Sequence, residues 1–136
     1  MSEVMEYGNR AGSEPNDLSL LQEIRDGLPV DLVDQVLESG TLSLAELDRL
    51  ALPRKTLAHR RGLGRLSREQ SDHLVRILRV IAEAERTFGR QEKARISLRC
   101  PSAALAGNAP LDLLDTEIGA RKVETLLGRI AHGIAA

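Results

Sequence analysis

Apolar residues recur along this chain at intervals of three and four, and nowhere do they alternate long enough to describe a half-buried strand. The pattern predicts helices throughout. From Asp17, the residues Leu20, Leu21 and Ile24 form one face of a short helix that Gly27 closes. Pro29 suits the first position of the next helix, where its missing N–H costs nothing. Val30, Val33, Val36 and Leu37 are its inward stripe, and Ser39 and Gly40 its stop. Ser43 and Glu46 stand at capping-box spacing and predict a third helix, LAELDRLA, with Leu44, Leu47, Leu50 and Ala51 inward. Leu52 and Pro53 interrupt it, and Pro53 opens a fourth, RKTLAHRR, stopped by Gly62 and Gly64.

A second capping box, Ser67 with Gln70, starts the longest helix, in which Leu74, Ile77, Leu78, Ile81, Ala84 and Phe88 keep helical spacing up to Gly89. Helix is also favoured over Gln91 to Leu98, although Ile96, Leu98 and Cys100 alternate and fit a brief strand as well. PSAALAGNAP reads as a loop, and Pro110 begins a turn of helix in LDLLD. Thr116 then caps a final helix with Ile118, Val123, Leu126, Leu127 and Ile130 on one side. The polar, Gly-containing opening, MSEVMEYGNRAGSEPND, reads as a loose arm. No internal repeat of fixed period is visible, and the fold class expected is all-α.

Composition agrees with that class. At 136 residues and 42% hydrophobic content, the chain is the size of one domain or of two small lobes sharing a core. Trp is absent and Tyr7 and Phe88 are the only aromatics, so Leu, Ile, Val and Ala fill the interior, as suits packed helices. Cys100 stands alone, which excludes an internal disulfide. No secretion signal opens the chain, and no apolar run approaches the ~18 residues of a membrane span. A reducing, cytoplasmic setting and no membrane partner are expected.

Charge adds a direction along the chain. Behind a formal net charge of −1, Lys and Arg number 3 against 11 acids in residues 1–50, 13 against 5 in residues 51–100, and 3 against 4 in the remainder. A basic middle points to a polyanionic partner, although a solvated helix face gives the same count. Within it, SLAELDRLALPRKTLAHRRGLGR reads as two short helices meeting at a tight turn, the arrangement of a helix-turn-helix. With Leu57 and Ala58 inward, Arg54, Lys55, Thr56, His59, Arg60 and Arg61 are left for DNA, and Arg65 lies just beyond. Arginine can fork onto guanine while Lys and Thr suit phosphate, so specificity would rest mainly on the arginines. The other reading of this stretch is a solvated basic helix that touches no nucleic acid. His59, His73 and His132 are far apart in sequence and lack partners at metal-ligand spacing, and no nucleophile elbow or phosphate loop is present. Neither a metal, nor a cofactor, nor catalysis is expected.

The letters of three blocks carry a further signal: LSLAELDRLALPRKTLAHRR, then LSREQSDHLVRILRVIAEAERTFG, then PLDLLDTEIGARKVETLLGRIAHG. Over about residues 28 to 133 this order resembles the Xre/MbcA/ParS family of bacterial antitoxins. Pro110, Leu111, Leu114, Thr116, Gly119, Val123, Leu126, Arg129 and Gly133 stand in family-like places. The chain departs from the family at Asn108, where a basic or glycine-like residue is usual, and at the Leu52–Pro53 turn, which lacks glycine.

The resemblance implies an Xre-like helix-turn-helix lobe over residues 17–66, after an arm at 1–16, and a long helix with a C-terminal toxin-binding module over 67–136. It implies a cognate RES-domain toxin, an enzyme that consumes NAD or uses it to ADP-ribosylate a target, which the C-terminal module obstructs. It also implies operator DNA as a second partner, and a symmetric operator would require a homodimer. The alternative function is that of a stand-alone transcription regulator whose C-terminal module mediates dimerisation or binds another ligand. The residues expected at the toxin's NAD pocket are Arg129, Ile130, His132, Gly133, Ile134, Ala135 and Ala136. If Gly133 is left-handed, Ile134 also fits a cap contact back onto the last turn. Ala135, Ala136 and the terminal carboxylate fit a narrow anion-binding cleft at little rotamer cost.

Overall fold

In a computed structural model, residues 3–13 and 18–133 are described, and among them every regular element is helical. Eight α-helices follow one another: α1 (Glu3–Ser13), α2 (Leu18–Asp26), α3 (Asp31–Glu38), α4 (Leu44–Leu50), α5 (Arg54–Leu63), α6 (Arg68–Phe88), α7 (Gln91–Leu98) and α8 (Glu117–Ala131). Two 3-10 turns, Ala103–Leu105 and Pro110–Leu113, precede α8.

The beam of the molecule is α6. Leu74, Val75, Ile77, Leu78, Val80, Ile81, Ala82 and Ala84 are all buried, a set that wraps well beyond one stripe, so neighbours must cover several of its faces. Helices α1, α2, α7 and α8 supply that cover. The N-terminal stretch corrects the expectation of a loose arm over residues 1–16. Residues 3–13 form α1, which lies along α6 with Val4, Met5 and Tyr7 buried. Gly8 meets the Leu78 carbonyl so closely that a Cβ would have no room. The glycines that read as loop signals are thus part of a helix crossing. Arg86 donates to Asn9 at 2.8 Å and Arg10 pairs with Glu23 at 2.6 Å, fixing α1 to α6 and α2.

Local capping follows the sequence closely. In both capping boxes the serine hydroxyl accepts from the backbone three residues on, at 3.1 Å, and the Glu46 or Gln70 side chain accepts from the serine N–H at 2.9 Å. The Thr116 hydroxyl accepts from the Gly119 N–H at 3.0 Å, and Pro110 opens its 3-10 turn. Residues 91–98 are helix rather than strand.

The start of α3 differs from expectation. Pro29 precedes the helix because the Leu66 N–H donates to Leu28 O at 2.9 Å and the Val30 N–H donates to Gly64 O at 3.1 Å, holding Pro29 in a bridge with Arg65, so that Val30, already helical in its dihedrals, is the N-cap. Four side chains expected inward are exposed. Leu44 is the first residue of its helix, Leu21 lies off the α2 stripe, Ala58 lies beside rather than under Leu57, and Ile118 points away from the core.

Candidate functional site

The paired helices of the middle block are α4 and α5. Their turn closes without glycine: the Leu52 N–H donates to Leu47 O at 3.0 Å, Leu52 is buried, and the Arg54 N–H donates to the Asp48 carboxylate at 2.7 Å. Asp48 does for α5 what Pro53, at its N-cap, has no side-chain group to do. Helix α5 then docks through the buried Leu57 and stops at Gly64, which is left-handed with φ +78°.

At 100° per residue, the face opposite Leu57 carries Lys55 and His59, while Arg54 is the first residue of the helix, and all three are exposed. Thr56 and Arg60 are half-buried. Three of the arginines are engaged within the fold. Arg60 Nε donates to Arg65 O at 3.0 Å, Arg65 Nη1 donates to Gly27 O at 2.9 Å, and Arg61 pairs with Asp34 of α3 at 2.8 Å. Arg54, Lys55 and His59 make no side-chain hydrogen bond or ion pair among the described residues. The cations most open to a ligand are therefore nearer the start of α5 than its arginine pair.

The C-terminal region is built on α8. Val123, Leu126 and Leu127 are buried, and Gly119 and Ala120 continue their stripe, so small residues occupy the positions where α8 sits closest to its support. Arg79 grips Glu124 with two hydrogen bonds of 3.1 and 2.8 Å, and the nearly buried Arg76 donates to Asp115 O at 3.3 Å. Of the residues expected at a toxin, Arg129, His132 and Gly133 are exposed. Ile130 is half-buried against the core, because it completes the inner stripe. Gly133 has φ +73°. Ile134, Ala135 and Ala136 lie outside the described residues.

Sequence reasoning missed the outer face of α8. Ile118, Arg121, Lys122, Thr125 and Arg129, spaced three to four apart, form one wall of an open groove of about 750 Å³. Ala104, Ala106 and Asn108 form the opposite wall. That wall is tightly tied: Ser102 and Asn108 pair as an isolated bridge, Gly107 N–H donates to Ser102 O at 2.8 Å, and the Asn108 amide donates to Leu105 O at 2.9 Å. The i, i+3, i+4, i+7 spacing of the α8 residues was the available signal.

Arginines also tie the α3–α4 segment to α7 and to the turn before α8. Arg99 reaches from the end of α7 to Glu46 in α4 with hydrogen bonds of 2.9 Å from Nε and from Nη2. Arg95 donates to Ser39 O at 3.0 Å, and Arg49 pairs with Asp112 at 2.7 Å. The Arg99 hydrogen bonds, against the opposing effect of burial and with help from the Ser43 N–H, hold the Glu46 carboxyl below its ordinary value of 4.5. Burial has the opposite effect on Glu83, beside the charge of Glu124, and on Glu85, raising both.

A depressed carboxyl contributes its stability above the unfolded value and loses it as pH falls through the folded one. Glu46→Gln keeps a capping-box side chain but removes the charge. It is expected to cost about 1 kcal/mol at neutral pH. The difference from the native protein should close below pH 4.5, as read by urea midpoints at the two pH values.

Among the described residues, no three His, Cys, Asp or Glu side chains gather closely enough to hold a metal ion. No described helix is long and apolar enough to cross a membrane.

Comparison with known proteins bears on both surfaces. Residues 19–79 match the profile of the antitoxin Xre-like helix-turn-helix domain, and residues 83–133 match that of the antitoxin Xre/MbcA/ParS C-terminal toxin-binding domain. Antitoxin Xre of Yersinia enterocolitica is 34% identical over 118 residues, 85% of this chain and 80% of that protein. Antitoxin Xre of Photorhabdus laumondii is 34% identical over 114 residues, covering 82% and 77% of the two chains. The Pseudomonas putida protein of the same name is 32% identical over 119 residues, 87% of this chain and 74% of its own.

Proposed function

The chain belongs to the Xre/MbcA/ParS family of antitoxins, and we propose that it neutralises a RES-domain toxin that consumes NAD or uses it for ADP-ribosylation. In this reading the end of α8 and the residues after it cover the toxin's NAD site. The observation that carries it is that the stretch matching a toxin-binding domain ends in a helix whose last turn exposes Arg129, His132 and Gly133 while Ile130 packs inward. Inhibition is steric, and the protein acts without catalysis or cofactor in the cytoplasm. The test is co-expression with the reading frame beside its own. An antitoxin rescues growth, copurifies with the toxin and suppresses NAD hydrolysis by it. A protein that binds its own promoter but neither rescues growth nor copurifies is instead a stand-alone regulator.

Binding to operator DNA, as a homodimer on a symmetric site, is the second half of the proposal. It is supported by the helix-turn-helix match and by the unpaired cations of α5. Arg54→Ala with Lys55→Ala is expected to lower the log–log salt slope of operator binding by roughly 0.9 for each phosphate that these side chains neutralise. A mobility-shift titration across salt concentrations measures this, and toxin binding should not change. Arg61→Ala should act partly through stability instead, because it strips Asp34 of its partner.

A further inference from the structure

We propose that the groove between the α8 outer face and the 104–108 turn is the anchoring site for an acidic segment of the toxin carrying one apolar side chain. The inference rests on the antitoxin reading and extends it, assigning affinity to the groove and inhibition to the tail.

Charge is the first argument. Arg76, Arg79, Arg95 and Arg99, on α6 and at the end of α7, all bond within the fold. Along the groove the cations are open. Lys122 and Arg129 have no hydrogen-bond or ion-pair partner among the described residues, and Arg121, with its side chain 77% exposed, meets only Glu117, at 3.6 Å. Among the described residues no Asp or Glu lines the groove. A wall of three cations without a facing carboxylate is complementary to an anionic partner.

Apolar surface is the second argument, and it decides which kind of anion. Leu105, Leu113 and Leu126 line the groove, and Ile118 stands beside the cations 71% exposed. A phosphodiester backbone would leave this surface wet. An acidic peptide with an apolar residue buries it while placing carboxylates against the rim. Small residues on the facing wall, Ala104 and Ala106, let a backbone come close, and the hydrogen-bonded turn that holds them means little ordering cost on binding.

The groove overlaps the proposed inhibitory end only at Arg129. It starts at Ile118, near the first turn of α8, and reaches the last turn only at Arg129. Docking here would direct the end of the helix toward the toxin without using residues beyond Gly133.

The experiment titrates purified toxin from the adjoining reading frame with the full-length protein and two full-length variants, Arg121→Glu/Lys122→Glu and Ile118→Ser. The charge reversal is expected to weaken binding by roughly 100-fold and Ile118→Ser by roughly 10-fold. Native binding should weaken between ~0.05 and ~0.5 M salt, and that dependence should be lost in the charge-reversal variant. Circular dichroism confirms that each variant is folded, and Lys122→Glu alone replaces the double variant if it is not. Affinities within roughly twofold of native in folded variants overturn the proposal. So does a loss confined to operator DNA, which would make the groove a nucleic-acid surface. Native protein that fails to bind the toxin at all removes the antitoxin reading itself, an outcome distinct from native binding that the variants retain.

Discussion

Cut after His132, the protein is expected to hold its toxin nearly as tightly as before and to leave NAD consumption running. Helix α8 closes without the residues removed. The His132 N–H donates to Gly128 O at 3.1 Å and its buried stripe ends at Leu127, with Ile130 half-buried beyond. Gly133 turns the backbone into the left-handed region, out of the helical path. Losing 133–136 therefore removes little of what folds the module, while removing what we assign to the NAD site. Small side chains cost little entropy to order in a narrow cleft, so a short tail can block a site without supplying most of the affinity. The measurement is NAD hydrolysis by the toxin at saturating truncated protein, beside a binding titration. Complete neutralisation by the truncated protein would falsify the tail as the blocking element.

Two glycines of the same helix should respond to alanine with opposite signs. At Gly119 a Cβ would collide with the Leu113 carbonyl oxygen and lie 2.9 Å from its carbon. That contact is backbone to backbone, between the first turn of α8 and the 3-10 turn on which it rests, so neither side can rotate away. Helix propensity favours alanine by up to about 1 kcal/mol, but overpacking that cannot relax exceeds this. We expect Gly119→Ala to destabilise by about 2–3 kcal/mol, lowering the melting temperature by roughly 6–10 °C, and to weaken toxin binding as α8 lifts. At Gly128 nothing lies within 4 Å of an added Cβ, and the backbone is helical. Gly128→Ala should stabilise by up to about 1 kcal/mol. Thermal melts of the two variants test the pair, and the same sign in both would show that α8 does not press on the turn as described.

The features legible in the sequence are those whose partners lie within a few residues. Both capping boxes, the Thr116 cap and the Pro110 turn depend on hydrogen bonds across three or four positions, and the letters specify both partners. Helix α1 was not legible because its partner lies about seventy residues away. Val4, Tyr7 and Ala11 do recur at helical spacing, but Gly8 lowers the propensity and makes sense only against the Leu78 carbonyl. Ile118 misled for a related reason. With Val123, Leu126 and Leu127 inward, the helix phase puts residues 119 and 120 inside, and a glycine and an alanine do not announce a core.

The candidate site was legible as a region and less so as chemistry. The basic block located α5, but nothing in the letters distinguished Arg54 and Lys55 from Arg60, Arg61 and Arg65, which the fold uses internally.

The contacts of Arg95 and Arg99 with the α3–α4 segment, and of Arg49 with Asp112, bridge the end that matches a DNA reader and the end that matches a toxin binder. Such contacts oppose changes in the distance and bearing of the two surfaces. A toxin carried at one end sweeps a set volume around any DNA held at the other, so neighbouring complexes on a promoter fit or clash according to operator spacing. Occupancy would then be counted in base pairs, with Glu46 and Arg99 among the contacts that maintain the scale.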